Sequence, residues 1–100
     1  RAILESGGWA AAVSDAELVT GIRLLAEEAG IFTETAGGVT VAAALALAAE
    51  GRFAADDELV LCITGNGLKT PDAVAPELPV APVIAPRVAA VRALVEEAGA

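Results

Sequence analysis

Apolar and polar positions along the chain alternate between two periodicities. Ser14-Asp15-Ala16-Glu17 has the spacing of a capping box: the Ser14 hydroxyl can accept from the Glu17 amide while the Glu17 carboxylate reaches back. The pattern predicts a helix to about Ala29, with Leu18, Ile22, Leu25 and Ala29 on one stripe and Glu27 and Glu28 on the wet side. Gly30 stands where helices commonly end in a left-handed residue. Ile31-Phe32-Thr33-Glu34 predicts a short strand. A second helix is predicted from about Gly38 to Glu50. Its apolar residues (Val39, Val41, Leu45, Leu47, interleaved with alanines) run all the way round, the pattern of a helix buried on most sides, and Gly51 ends it. After the acidic turn Asp56-Asp57-Glu58, the run Leu59 to Ile63 is continuously apolar and β-rich, as in a parallel strand covered on both faces. This helix–strand–helix–strand order predicts an α/β fold, a partial open, mainly parallel sheet flanked by helices.

The chain then changes character. Pro71, Pro76, Pro79, Pro82 and Pro86 space out a segment predicted to be extended, neither regular helix nor central strand. A last helix is predicted from about Arg87 to Ala98, with Val88, Val91, Val95 and Ala98 on one face and Arg92 and Glu96 as an i,i+4 pair on another. The expected organisation is an α/β unit over residues 1–75, a proline-spaced linker over 76–86 and a docking helix over 87–100.

Composition sharpens this picture. Of the 100 residues, 56% are hydrophobic, against a usual share of roughly 45–50%, yet only Trp9, Phe32 and Phe53 are aromatic. A chain with so much apolar surface and so few large side chains is expected to be a slice of a larger interior. The absence of methionine and the unsignalled start Arg1-Ala2-Ile3-Leu4 agree with that expectation. The net charge of −8 repels phosphate backbones and anionic lipid surfaces, so no nucleic-acid or membrane partner is expected. The longest uncharged run, Thr35 to Ala49, is shorter than the ~20 apolar residues a spanning helix needs. One cysteine, Cys62, allows no internal disulfide, which suits a cytoplasmic location, and its place in the apolar run predicts an inert core thiol. With no histidine there is no base for a Cys-His or Ser-His dyad. Asp56, Asp57 and Glu58 lack the spacing of a calcium loop, so no metal site is expected.

Three stretches carry the candidate chemistry: Ser6-Gly7-Gly8-Trp9-Ala10-Ala11-Ala12-Val13-Ser14-Asp15, Glu34-Thr35-Ala36-Gly37-Gly38-Val39-Thr40-Val41 and Leu61-Cys62-Ile63-Thr64-Gly65-Asn66-Gly67-Leu68-Lys69. The last reads as a strand that stops at a hydroxyl residue and a glycine turn, at the strand end where open α/β sheets present polar groups to ligands. In collinear order from about Glu5 to Val74, these stretches resemble the C-terminal part of the threonine synthases, pyridoxal-phosphate enzymes of the fold type II group.

The resemblance implies a C-terminal slice of a fold type II large domain, with pyridoxal 5'-phosphate as cofactor. It implies that Thr64 hydrogen-bonds the pyridine nitrogen of the cofactor. The alternative for Thr64 is a strand cap that bonds the following turn. Glu34 matches the glutamate of a Glu-Pro-Ala-Gly turn that lies near the cofactor ring in this group, although Thr35 stands in place of the proline; its alternative is a charge placed favourably before a helix N-terminus. Gly65, Asn66 and Gly67 are expected to serve geometry, through positive φ and close backbone approach. Gly37, Gly38 and Thr40 could form an anion site at a helix N-terminus, but close strand–helix packing needs the same glycines and is preferred.

Lys69, the only lysine, is not the aldimine lysine. In threonine synthases that residue lies in a Ser-Phe-Lys-Asp context near the N-terminus, and no such stretch occurs here. Lys69 is expected to be an exposed loop residue or the partner of a nearby carboxylate. No catalytic residue is therefore assigned within the chain. For a complete enzyme the resemblance implies conversion of O-phospho-L-homoserine and water to L-threonine and phosphate by a homodimer. The chain alone is expected to be inactive. The other readings are a different fold type II enzyme, such as a threonine or serine dehydratase, or a non-catalytic α/β interaction module.

Overall fold

The computed structural model describes residues 1–99. After a single turn, α1 (Ala2–Glu5), the body consists of two fifteen-residue helices, α2 (Asp15–Ala29) and α3 (Thr35–Ala49). The capping box forms at α2 as its sequence demands. The Ser14 oxygen accepts from the Glu17 amide, the Glu17 carboxylate accepts from the Ser14 N–H at 2.7 Å, and Gly30 closes the helix in the left-handed region at φ 67°. The α3 helix begins at Thr35, one turn earlier than its glycines suggest, because the Glu34 carbonyl already accepts from the amides of Gly37 and Gly38.

Two glycines set how closely these helices approach. A Cβ on Gly21 would run into the Gly38 carbonyl, and one on Gly38 into the Leu18 carbonyl, so the two backbones meet directly at the crossing. Gly38 thus serves helix–helix packing and not the strand–helix packing expected of it. The core around this crossing is small: Ile22, Val41, Ala42 and Val74, with Thr33 as the buried polar member. Val39 and Leu45 are exposed, so the all-round apolar α3 is buried toward α2 and, at Gly37, against Thr33, and not on every side.

The expected strands do not form a sheet. Among the described residues pairing is limited to one antiparallel bridge, Thr33 with Asn66. A strand satisfies its backbone through a neighbour, and no other described segment pairs with Leu59–Ile63. Leu59 is 52% and Val60 83% exposed, and Cys62 is an exposed thiol where a core thiol was expected.

The proline-rich segment also departs from expectation in its first half. Three single turns of tight helix follow one another at Gly67–Lys69, Pro71–Ala73 and Ala75–Glu77. Pro71 and Pro76 sit in the first turns, where a missing N–H is tolerated. These turns fold back on α2, burying Val74 and bringing Glu77 to 3.3 Å from Arg23. Within the proline-spaced segment, residues 79–85 run without regular structure, with Val80 and Val83 almost fully exposed.

The last helix, α4 (Val88–Ala98), buries none of its residues, and its Val88, Val91 and Val95 face is open. Arg92 and Glu96 make no ion pair among the described residues. The Cα radius of gyration is 18.2 Å, well above the roughly 13 Å of a compact 100-residue domain, because this tail stands away from the body.

Candidate functional site

The two principal motifs meet where the entry to α3 crosses the turn after Thr64. The Thr33 hydroxyl donates to the Gly65 carbonyl at 3.1 Å, and the Glu34 amide donates to the same oxygen at 3.1 Å. In return the Gly67 amide donates to the Phe32 carbonyl at 3.0 Å. The Thr35 amide, one of the free N–H groups of the first turn of α3, donates to the Thr70 hydroxyl at 3.1 Å. Between them, the Asn66 carboxamide oxygen accepts from the Leu68 amide at 2.9 Å and fixes the turn.

Packing at this junction explains its small residues. A Cβ on Gly37 would strike the Thr33 side chain, which is 1% exposed. The Glu34 side chain lies where a Cβ of Gly65 would stand, and the Phe32 ring does the same at Gly67. Close approach is thus the reason for Gly65 and Gly67. Neither has positive φ, and Asn66 is extended at φ −81°. The expected left-handed turn is replaced by an extended residue and a tight helical turn.

Glu34 and Lys69 form an ion pair at 2.6 Å. The Glu34 side chain is 13% exposed and that of Lys69 63%, so a nearly buried carboxylate is matched by a cation on the rim. Glu34 precedes α3 but makes no side-chain cap on it. Its carboxylate turns to Gly65 and Lys69 instead. With the Thr35 amide committed to Thr70 and the Gly37 and Gly38 amides to Glu34, the α3 N-terminus is not laid out to hold an anion.

Thr64 lies one residue before this tied segment. It is exposed, and its hydroxyl makes no hydrogen bond among the described residues. The turn bond that a strand-capping threonine would make is supplied by Asn66. Glu34 therefore packs on Gly65, the residue that follows Thr64, and the Thr64 hydroxyl is without a partner among the described residues. Thr33 and Thr70 belong to the same junction and escaped sequence reasoning. Their only sequence signal is a hydroxyl residue at each end of the two glycine motifs.

The residues present fit a pyridine ring edge. Thr64 offers a neutral hydroxyl that can donate to a ring nitrogen, beside a turn whose glycines are packed by Glu34 and Phe32. Elsewhere an apolar depression of about 350 Å³ between α2, α3 and Leu59–Leu61 carries one charged lining residue, Glu28. No group of residues with metal-binding character occurs among the described residues. No helix among them is long and apolar enough to cross a membrane.

Comparison with known proteins adds a second line of observation. Residues 1–65 match the family model of pyridoxal-phosphate dependent enzymes. The threonine synthase of Methanocaldococcus jannaschii is 46% identical over 72 residues, which cover 72% of this chain and 18% of that protein. The threonine synthase of Mycobacterium bovis is 36% identical over 91 residues, covering 90% and 25% respectively. That of Halalkalibacterium halodurans is 33% identical over 86 residues, covering 86% and 24%. The chain thus spans between 18% and 25% of the length of these curated relatives.

Proposed function

Because the chain belongs to the pyridoxal-phosphate dependent enzyme family, and its relatives are threonine synthases, we propose that it forms one wall of the cofactor site of such an enzyme. Thr64 hydrogen-bonds the pyridine nitrogen and Glu34 lies beside the ring. The observation that carries this reading is the junction itself: two separate motifs meet, and the hydroxyl at its edge has no partner among the described residues.

Bound pyridoxal phosphate supplies an electron sink for chemistry at the substrate carbons. A threonine hydroxyl at its ring nitrogen, unlike a carboxylate, does not hold that nitrogen protonated and so moderates the sink. Glu34 and the Gly65 backbone keep Thr64 at the ring edge and shield that edge from water. The complete enzyme converts O-phospho-L-homoserine and water to L-threonine and phosphate, as a carbon–oxygen lyase of threonine biosynthesis acting as a cytoplasmic homodimer. Residues 1–75 belong to the cofactor-binding domain, 76–86 link and 87–100 dock. Leu59–Ile63 joins a parallel sheet completed by other parts of the enzyme. The 100-residue chain by itself is inactive.

Thr64→Val in the complete enzyme tests this directly, since it keeps the shape and removes the polar contact. Leaving the ring nitrogen unpartnered in a dry site costs roughly 1–3 kcal/mol, so cofactor affinity should fall about tenfold or more. Thr64→Ser should retain most of it. Equal affinity in wild type and the valine variant would leave Thr64 a structural residue.

A further inference from the structure

We propose that Lys69 is a positioning residue: acting through Glu34, it holds the Thr64–Gly65 segment in place against the start of α3. The inference rests on the reading of Thr64 given above and adds a residue that never touches the ligand. Three observations converge on it. Glu34 is nearly buried, yet its carboxylate is met by a single cation, the ammonium of Lys69 at 2.6 Å. The Glu34 side chain fills the space over Gly65, the residue next to Thr64. Lys69 itself comes from the far end of the same turn, so the pair closes the loop of residues 65–69 onto the entry of α3.

The physics follows from the burial of the acid. A carboxylate largely removed from water is costly unless a counter-charge answers it, and removing one partner of such a pair leaves an uncompensated charge. Without Lys69, the Glu34 carboxylate gains by swinging out to solvent. The space over Gly65 then empties, and the Thr64–Gly65 backbone loses the packing that fixes its depth. The Gly65 carbonyl stays anchored by Thr33 and by the Glu34 amide, so the turn persists while its edge loosens. Loss of Lys69 is therefore felt at the Thr64 hydroxyl more than in the fold.

The test is a double-mutant cycle in the complete enzyme, joining Lys69→Met with Thr64→Val. It is read by titration with pyridoxal phosphate and by thermal unfolding of the cofactor-free protein. Lys69→Met should weaken cofactor binding about tenfold, the equivalent of 1.4 kcal/mol. In its background the further effect of Thr64→Val should shrink to about threefold or less. Lys69→Arg should restore most of the affinity, because it returns a cation to the same rim. Lys69→Gln repeats the measurement should the methionine variant fold poorly.

Multiplicative losses in the double variant would overturn the positioning role, as would a lowered unfolding temperature with cofactor affinity unchanged. A Thr64→Val variant that binds the cofactor as tightly as wild type would remove the site reading and this inference together. A weakened Thr64→Val beside an unaffected Lys69→Met would remove this inference alone.

Discussion

Leu59–Thr64 and Gly65–Thr70 are consecutive stretches of one chain with opposite structural fates. The first is extended and unpaired, with Leu59 and Val60 open to solvent. The second is tied to the entry of α3 by hydrogen bonds from Thr33, Glu34 and Thr35, by one returned to Phe32, and by the Glu34–Lys69 pair. The polar stretch finds its partners about 35 residues back in the same chain. The apolar one needs a sheet, which the described residues do not supply. A tied turn can therefore be assembled independently of the apolar stretch that leads into it.

The largest expected effect breaks the tied half. Gly37→Ala places a methyl group against Thr33, which is buried, β-branched and hydrogen-bonded to Gly65, so it cannot give way. Overpacking of this kind costs about 1–3 kcal/mol, and the rigidity of Thr33 puts this case at about 3. In the complete enzyme, thermal unfolding should register that loss together with weakened cofactor binding. Unchanged stability would mean that Thr33 does not hold the junction.

Next in size is a change that sharpens the contrast from the untied half. If Leu59–Ile63 enters a covered sheet in the complete enzyme, Val60→Lys forces a charge into it and should cost about 2 kcal/mol or more. At an exposed position such as it occupies here, the same change lies within about 0.5 kcal/mol. Denaturant unfolding of the complete enzyme distinguishes the two values, and the smaller one would show that the segment stays open there.

The smallest effect lies in α2, away from both halves. The Ser14 backbone N–H, and after it the Ser14 hydroxyl, hold the Glu17 carboxyl below its ordinary value of 4.5. A carboxyl whose value is lowered on folding contributes stability above that ordinary value, and the contribution is lost as pH falls through the lowered one. The unfolding temperatures of wild type and Glu17→Gln should therefore differ slightly at neutral pH and converge in acid. A difference that grows in acid would contradict the capping box.

The legibility of the sequence follows the same division. Helix α2 could be read to the residue at both ends because Ser14, Glu17 and Gly30 are local signals that need nothing from the rest of the fold. The three stretches from Ser6 to Lys69 carried the family, and they brought Glu34 and Thr64 into one frame before any contact was known. What could not be read were features set by partners distant in sequence. Gly38 packs on Leu18 and not on a strand. Gly65 yields to Glu34 and Gly67 to Phe32, so neither needs a positive φ. Cys62 is exposed because an apolar run specifies a covered strand only when something covers it. Pro71 begins one helical turn and Pro76 lies in the first turn of the next, with Val74 between them buried, a tertiary burial that proline spacing does not encode.

The protonation state of the cofactor's ring nitrogen tests the central claim most directly. It can be read from the nitrogen-15 chemical shift of ring-labelled pyridoxal phosphate bound to the complete enzyme. With the Thr64 hydroxyl as its partner, the nitrogen should be unprotonated in wild type and in Thr64→Ser, and should shift to the protonated position in Thr64→Asp. A protonated nitrogen in wild type, or a shift that ignores all substitutions at residue 64, would contradict the assignment.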